Sequence, residues 1–359
     1  LKEHNIMKTL ILPMAGKSSR FPNQKPKWML THPRKNCFMV VESISGINLD
    51  FFDSIILVTL KEHEENFHFT DGLKRQLDNI GILDKSKILY LKEKTNSQSE
   101  TVYQAIKKEK VEGFICVKDS DGKFETIINT EANQVCYCDL NSVGKLDAGS
   151  KSYIEMDQGD VITNIVEKRV ISSTFSVGGY CFSSAKEFCN IYDSLKMMEG
   201  ECYISHIIYE MLLQGKDFYG LKCLNFEDYG TSHDWNEFKS KFKTVFVDLD
   251  GTLIENTGEY LPPYRGSGKL LKRNADTINE MFDSGFVYVI ITTSRPESCR
   301  KETEEELKSN GINYHHMAMG LPHCGRILIN DFAPTNFYPS AQAINIARNS
   351  DNLEEFLNK

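Results

Sequence analysis

The chain has 359 residues, of which 40% are hydrophobic and 26% charged, and its formal net charge is -8. This length predicts two domains, and the acidic balance argues against broad binding to nucleic acid or to an anionic membrane surface. No apolar run approaches the roughly 20 residues that span a bilayer, and the N-terminal residues lack a signal-peptide cleavage site, so we expect a cytoplasmic protein without a membrane span.

Strand-like and helix-like segments alternate along the chain. The hydrophobic runs TLILPMA, SIILVTL, KILYL and GFICVKD alternate with polar helical stretches such as ETVYQAIKKEK, which predicts a parallel sheet with crossover helices. A second α/β succession begins at TVFVDLD, continues through KLLKRNADTINEMFDSG and FVYVIITTS, and reaches RILINDF near the end. We therefore predict an α/β protein with two domains, residues 1–240 and 241–359.

The turn after the first strand has the composition of a phosphate-binding loop. In PMAGKSSRFPNQKPKWML, Gly16 and the small residues after it allow the backbone to approach a phosphate closely, and Arg20, Lys25 and Lys27 add positive charge. The alternative is a tight strand-to-helix turn with solvated basic residues. The basic residues favour the phosphate site.

This turn resembles the signature of the sugar-phosphate nucleotidyltransferases, a strand followed by a Gly-x-Gly-x-Arg-like turn and then Pro-Lys. The signature here reads Gly16-Lys17-Ser18-Ser19-Arg20 and Pro26-Lys27, with Ser18 in place of the second glycine. Later segments resemble the same family in its order: TNSQSETVYQAI, ICVKDSDGKF, IVEKRVIS, VGGYCF and FEDYGTSHDW. The resemblance covers about Met7 to Phe238 and implies a Rossmann-like fold with a mixed sheet.

The resemblance also implies a reaction. A phosphate oxygen of a phosphorylated acceptor attacks the α-phosphorus of a nucleoside triphosphate, and pyrophosphate leaves. Arg20 and Lys27 are the predicted catalytic cations, and Mg²⁺ held by strand-end carboxylates is the predicted cofactor. For Asp121, a turn-capping role is an equal alternative to metal ligation. The remaining predicted residues are, for the nucleotide, Pro13, Met14, Ala15, Gly16, Lys17, Gln98, Ser99 and Thr101; for the acceptor, Glu167, Lys168 and Gly179; and for the metal, Asp119, Asp121 and Asp228.

The substrates are less narrowly indicated than the reaction. The PMAGKSSRF and KPK segments and the short domain resemble the choline-phosphate and related cytidylyltransferases, which favours CTP over UTP, GTP or dTTP. Lys168 and Arg169 could hold a sugar phosphate, so we expect a phosphorylated sugar or polyol that feeds capsule or surface polysaccharide synthesis. A nucleotide sensor without turnover and a homo-oligomer both stay open.

The segment VFVDLDGTL resembles the opening motif of the haloacid dehalogenase (HAD) phosphohydrolases. That resemblance implies that Asp248 attacks phosphorus and that Asp250, two residues later, protonates the leaving group and then activates water. Thr293 in VIITTSRP would hold the phosphoryl group. Asp331 in ILINDF would bind Mg²⁺ together with Asp248 and Asp250.

The third HAD motif departs from the family pattern. Leu321 stands where relatives often have a lysine, which makes Arg326 the best substitute and Lys308 the second. About 40 residues separate the first two motifs, so we predict a HAD-type Rossmannoid domain without a large cap. A non-catalytic docking module is the alternative for this domain.

Overall fold

The computed structural model describes residues 6–16, 25–144, 147–197, 200–257, 268–331 and 340–357. The chain forms two compact units, Leu1–Trp235 and Asn236–Lys359. None of the described helices has the length and apolar character that crossing a bilayer requires.

A mixed sheet forms the centre of the first unit. In the described residues it has nine strands, seven of them in the order β10-β6-β9-β4-β1-β2-β3, with the hairpin β7-β8 attached to β9. The strands are β1 Lys8–Pro13, β2 Ser54–Leu60, β3 Ser86–Leu91, β4 Phe114–Lys118, β6 Gln134–Asp139, β7 Ser152–Met156, β8 Ile162–Glu167, β9 Thr174–Phe182 and β10 Tyr219–Lys222. A separate antiparallel pair joins β5 Gly122–Glu125 to β11 Leu224–Asp228.

Strand direction changes at β9. Strands β1 to β4 are parallel, as the alternating segments predict. β9 runs antiparallel to β4 on one side and to β6 on the other, so the sheet is mixed. The mixed sheet implied by the family resemblance is therefore confirmed, whereas the all-parallel sheet predicted from the alternation alone is wrong at this strand.

Helices cover both faces of the sheet. The helices that begin in the first unit are α1 Met39–Ser43, α2 Lys61–Phe67, α3 Thr70–Asn79, α4 Gln98–Glu109, α5 Ala185–Leu195, α6 Ile204–Leu213 and α7 Ser232–Ser240, the last of which extends into the second unit. Successive β1 residues enter different cores: Ile11 lies in the core that contains α4, α5 and α6, and Leu10 in the core that contains α1 and α3. This two-sided burial explains why the strands are continuous hydrophobic runs.

The second unit contains a smaller parallel sheet. In its described residues the order is β12-β13-β14, formed by β12 Lys243–Asp248, β13 Val287–Thr292 and β14 His316–Ala318. Its helices are α8 Lys272–Asp283, α9 Arg300–Ser309 and α10 Glu354–Leu357. Val247, Val289, Ile278 and Leu307 belong to one buried core, which is separate from the two cores of the first unit.

Candidate active sites

The carboxyl end of β4 carries the acidic residues of the first candidate site. The backbone N–H of Asp119 donates to the carbonyl of Gly178 at 2.8 Å, which fixes the start of this loop against β9. The side-chain amide of Gln98, the first residue of α4, donates to Asp119 Oδ1. Gln98 therefore contacts a predicted metal ligand in this structure.

Gly178 is a close neighbour of Asp119. It adopts a φ of +82°, in the left-handed region, and a Cβ there would lie 2.6 Å from Asp119 Cγ. Only glycine fits this position without displacing the carboxylate. The neighbouring Gly179 is buried, and a Cβ there would lie 2.7 Å from Cys136 Sγ and Phe124 Cζ, so its surroundings are those of a packing residue.

Two further acids each form an ion pair with a lysine distant in sequence. Lys27 pairs with Asp121, and Lys151 pairs with Asp228. The two acids are neighbours, because Asp228 lies opposite Gly122 in the β5-β11 pair and the N–H of Tyr229 donates to the Asp121 carbonyl at 2.8 Å. The structure thus brings together the predicted residues Lys27, Asp121 and Asp228.

Lys118 lies beneath the acidic loop. Its side chain is buried, and Nζ donates to the carbonyls of Asp119 at 2.8 Å and Gly122 at 2.6 Å and lies 4.6 Å from the Phe124 ring centre. Burial lowers the pKa of Lys118. A buried ammonium therefore closes the loop that carries the two aspartates.

Burial raises the pKa of Asp119 to about 6, and the nearby Asp121 carboxylate acts in the same direction. Lys118, the Gln98 hydrogen bond and Lys27 oppose this shift. Crowded carboxylates of this kind gain from a cation, and their hard oxygens suit Mg²⁺. Among the described residues, however, no group of three or more His, Cys, Asp or Glu side chains could hold a metal. The donor set fits a Mg²⁺ that keeps water and phosphate ligands, not one enclosed by protein.

The predicted nucleotide-binding residues fall into three groups. β1 ends at Pro13, Met14 and Ala15 are buried, and Gly16 is exposed, where a Cβ would meet no described atom within 4 Å. Lys17 is the second group and lies outside the described residues, as does the predicted catalytic residue Arg20. The third group, Gln98, Ser99 and Thr101, lies in the first turn of helix α4.

The hydroxyls of Ser99 and Thr101 point into the protein. Ser99 Oγ donates to the Cys202 carbonyl, and Thr101 Oγ1 lies 2.6 Å from Thr95 Oγ1. Both side chains are almost fully buried. A nucleotide could therefore meet the backbone here but not these hydroxyls.

Two of the predicted acceptor residues, Glu167 and Lys168, lie where β8 meets α6. Glu167 accepts hydrogen bonds from Ser152 and from Ser205, the latter at 2.7 Å. Lys168, with a φ of 55°, places Nζ 4.2 Å from the centre of the Tyr203 ring and donates to its hydroxyl. Glu167 thus holds strand to helix, and the exposed Lys168 is the better placed of the two to meet a ligand.

In the second unit, the two predicted aspartates lie at the end of β12 and form separate ion pairs. Arg326 Nη1, the predicted substitute cation, lies 3.1 Å from Asp248 Oδ1. Burial raises the pKa of Asp248, and Arg326 opposes that shift. Asp250 instead accepts a hydrogen bond from Thr293 Oγ1 at 3.0 Å and pairs with the guanidinium of Arg295, whose Nη2 donates to Asp250 Oδ1 at 2.7 Å.

The segment RILINDF forms no strand in its described residues. Ile327, Leu328 and Ile329 are 89%, 58% and 87% exposed, and Asp331 is also exposed, its carbonyl accepting from Ser340 Oγ. A short apolar run becomes a strand only when a neighbouring strand pairs with it, and this run has no such partner in the described part of the chain. Asp331 is therefore not grouped with Asp248 and Asp250 in a three-residue metal cluster.

Sequence reasoning did not identify Lys118, Lys151, Gly178 or Arg295. Lys118, Gly178 and Arg295 lie inside the motifs ICVKDSDGKF, VGGYCF and VIITTSRP, so a lysine, glycine or arginine within a motif was the available signal. Lys151 had no such signal, because it lies just before β7 and 77 residues before its partner Asp228 in the sequence.

No family model matches this chain, and the comparison with curated proteins found no match. Solved structures do match it. A nucleoside-diphosphate-sugar pyrophosphorylase from Vibrio cholerae RC9 matches with a TM-score of 0.53 at 18% identity, over 64% of this chain and 98% of that chain. A protein from Bacillus anthracis, assigned as a glucose-1-phosphate thymidylyltransferase and solved with a sucrose, matches with a TM-score of 0.50 at 17% identity, over 65% and 94%.

These matches concern architecture. The chain shares with these two structures an α/β fold, and its own sheet is mixed. The matched share is close to the share of the chain that the first unit occupies.

Proposed function

We propose that the first unit transfers a nucleoside monophosphate to a phosphorylated sugar or polyol and releases pyrophosphate. The observation that carries this proposal is the junction at the end of β4, where Lys27 meets Asp121, and Asp119 and Asp228 lie on the adjoining backbone. Open α/β sheets bind their ligands at the carboxyl ends of strands, and this junction belongs to the fold that the sugar-nucleotide enzymes share.

The charges of this junction suit phosphoryl chemistry. Asp119 and Asp228 would hold Mg²⁺, which when bound supplies positive charge to the reacting phosphates. Lys27 would transfer its contact from Asp121 to the triphosphate, because an ammonium on the loop after β1 can neutralise the charge that develops as pyrophosphate leaves. Arg20 is proposed for the same task. The acceptor phosphate is the nucleophile, so no protein nucleophile is required.

We propose CTP as the donor and place the acceptor phosphate near Lys168. UTP, GTP or dTTP as donor and a nucleotide sensor without turnover are the alternatives. A role in capsule or surface polysaccharide synthesis rests on the sequence resemblance alone.

The test is pyrophosphate release with CTP, UTP, ATP, GTP and dTTP against a panel of phosphorylated sugars, polyols and amino alcohols, with Mg²⁺. The expected result is release with one pair, a product mass equal to acceptor plus nucleoside monophosphate, and loss of release in Asp119→Ala. Pyrophosphate release with UTP and with no other nucleotide would identify UTP, not CTP, as the donor. Nucleotide binding without release for any pair would favour the sensor.

We propose that the second unit is a Mg²⁺-dependent phosphohydrolase of the same pathway. The observation that supports it is the pair Asp248 and Asp250 at the end of β12, with Thr293 of the adjacent strand end within hydrogen-bonding distance of Asp250. Asp248 would attack phosphorus to form an aspartyl phosphate, and Asp250 would handle the proton. The alternative is a docking module, which the exposed position of Asp331 favours.

Steady release of inorganic phosphate from sugar phosphates, measured with and without EDTA, separates the two possibilities. We expect Mg²⁺-dependent turnover that Asp248→Asn abolishes. Equal phosphate release from the wild-type protein and from Asp248→Asn would contradict the assignment of the nucleophile.

A further inference from the structure

Arg295 is a buried arginine between two carboxylates of the second unit. Its side chain is 4% exposed, and those of Asp250 and Glu306 are 16% and 11% exposed. On one side Nη2 and Nε donate to Asp250 at 2.7 and 3.1 Å. On the other side Nη1 donates to Glu306 Oε2 at 2.5 Å and contacts Thr303 Oγ1 at 3.4 Å.

These contacts determine the orientation of Asp250. Oδ1 accepts from Nη2 and Nε of Arg295, and Oδ2 accepts from Nε at 3.1 Å and from Thr293 Oγ1 at 3.0 Å. Two parallel N–H donors fix the plane of a carboxylate as a single ammonium cannot. Glu306, on α9, fixes the guanidinium in turn, so the orientation of Asp250 depends on a helix far from it in sequence.

We propose that Arg295 is the positioning residue for Asp250 in phosphate ester hydrolysis, an inference that rests on the proposed phosphohydrolase function of this unit. In the first half-reaction Asp248 Oδ forms a bond to phosphorus, the ester P–O bond breaks, and the proton of Asp250 passes to the leaving oxygen. In the second, water attacks the aspartyl phosphate, gives a proton to Asp250 and releases phosphate and Asp248.

The contact of Thr293 with Asp250 shows why a separate positioning group is required. A phosphoryl group bound at Thr293, its predicted role, would compete with Asp250 for the hydroxyl. Once the hydroxyl turns to the phosphoryl group, Oδ2 is open to take up or give a proton. Arg295 alone then holds the carboxylate, through Oδ1 and the shared Nε contact.

A purely structural role for Arg295 is the competing explanation, because the same ion pairs tie the end of β13 to α9. The dependence of the rate on the leaving group separates the two. An alkoxide leaving group needs the proton of Asp250, whereas p-nitrophenolate leaves without it. Loss of positioning therefore slows alkyl esters selectively, and general loss of structure slows both kinds of ester equally.

The experiment compares kcat for glycerol 3-phosphate and for p-nitrophenyl phosphate in the full-length protein with Mg²⁺. We expect Arg295→Lys to lower kcat for glycerol 3-phosphate about 30-fold and that for p-nitrophenyl phosphate less than about 3-fold. The first effect is smaller than the roughly 100-fold or more that a general acid contributes, because Asp250 itself is still present. Glu306→Gln leaves residue 295 unchanged but removes the carboxylate that orients its guanidinium. It is less disruptive than Arg295→Lys and should change the ratio of the two kcat values in the same direction. Asp250→Asn removes the proton donor altogether, so it shows the largest difference between the two esters that loss of the acid can cause.

Arg300→Lys is the matched control. Arg300 also bridges two glutamates of its neighbourhood, Glu297 and Glu304, but its side chain is 37% exposed and bonds to neither candidate aspartate. Arg300→Lys should therefore leave kcat unchanged for both esters. The deciding quantity is kcat for p-nitrophenyl phosphate divided by kcat for glycerol 3-phosphate. If this ratio rises in Asp250→Asn but keeps its wild-type value in Arg295→Lys and Glu306→Gln, the role of Arg295 alone is overturned. Failure of the folded wild-type protein to cleave either ester would overturn the phosphohydrolase function itself.

Discussion

Asp119 and Gly178 show how one residue depends on another in the first unit. The left-handed backbone of Gly178 brings its Cα against the Asp119 carboxylate, and its carbonyl accepts the Asp119 N–H. The position of a candidate metal ligand is thus determined by a residue on a different strand. Motif matching alone assigns no role to Gly178, because the requirement for glycine arises from contact across the sheet.

Gly178→Ala tests this contact. We expect a loss of about 2 kcal/mol in the free energy of unfolding, since strain and collision add, and a loss of most pyrophosphate release, because the carboxylate must move. Urea unfolding and the pyrophosphate assay measure the two effects. Gly81→Ala is the control: Gly81 also has a positive φ, of +72°, but a Cβ there would meet no atom of the described residues within 4 Å. Equal behaviour of the two variants would contradict the contact.

The pH dependence of stability tests the burial of Asp119. Its pKa is about 6 in the folded protein against 3.8 ordinarily, so the folded state binds more protons in that interval. The contribution of Asp119 to stability is fully present below pH 3.8 and is lost as the pH rises through about 6. In EDTA, Asp119→Asn should therefore be more stable than wild type by about 3 kcal/mol at about pH 7.5 and nearly equal to it at about pH 4. A pH-independent difference in urea unfolding would contradict this.

At the scale of elements, helix α4 places Gln98 on the acidic loop. Ser97 caps this helix by accepting the N–H of Glu100 at 3.1 Å, and its hydroxyl also contacts Ser99. This cap involves only neighbouring residues, whereas the contact of Gln98 with Asp119 joins residues 21 positions apart. Local sequence fixes where the helix begins, and the sheet fixes what its first residue touches.

Ser97→Ala and Ser184→Ala form a matched pair of cap removals. Ser184 caps α5 in the same way, accepting the N–H of Glu187 at 3.2 Å. Each variant should lose about 1 kcal/mol in the free energy of unfolding. We expect only Ser97→Ala to lower pyrophosphate release, by several-fold, because Gln98 then fixes Asp119 less well. A comparable decrease in Ser184→Ala would assign the effect to stability.

At the scale of the whole molecule, two compact units have separate hydrophobic cores and separate acidic sites. The predicted first domain ends at residue 240, and the first compact unit ends at Trp235, within helix α7. The matched solved structures account for about 64% of the chain, and the phosphohydrolase activity proposed for the second unit is argued from its own side chains.

Separate sites predict separable activities. Asp119→Ala should abolish pyrophosphate release and leave Mg²⁺-dependent phosphate release unchanged, and Asp248→Asn should have the opposite effect. Both assays are run on each folded variant, with the wild-type protein as reference. Loss of both activities in either variant would show that the two sites do not act independently.

The α/β class, the parallel strands β1 to β4 and the acids Asp119 and Asp248 at strand ends follow from the sequence, because hydrophobic periodicity and turn chemistry are local properties of a chain. The other contacts arise only when the chain has folded. Sheet order brings Lys27 to Asp121 and Lys151 to Asp228 across 94 and 77 residues, and the antiparallel β9 brings Gly178 to Asp119. It also leaves RILINDF without a partner strand in the described part of the chain. Such pairings depend on which strands are neighbours in space, which no local pattern in the sequence encodes.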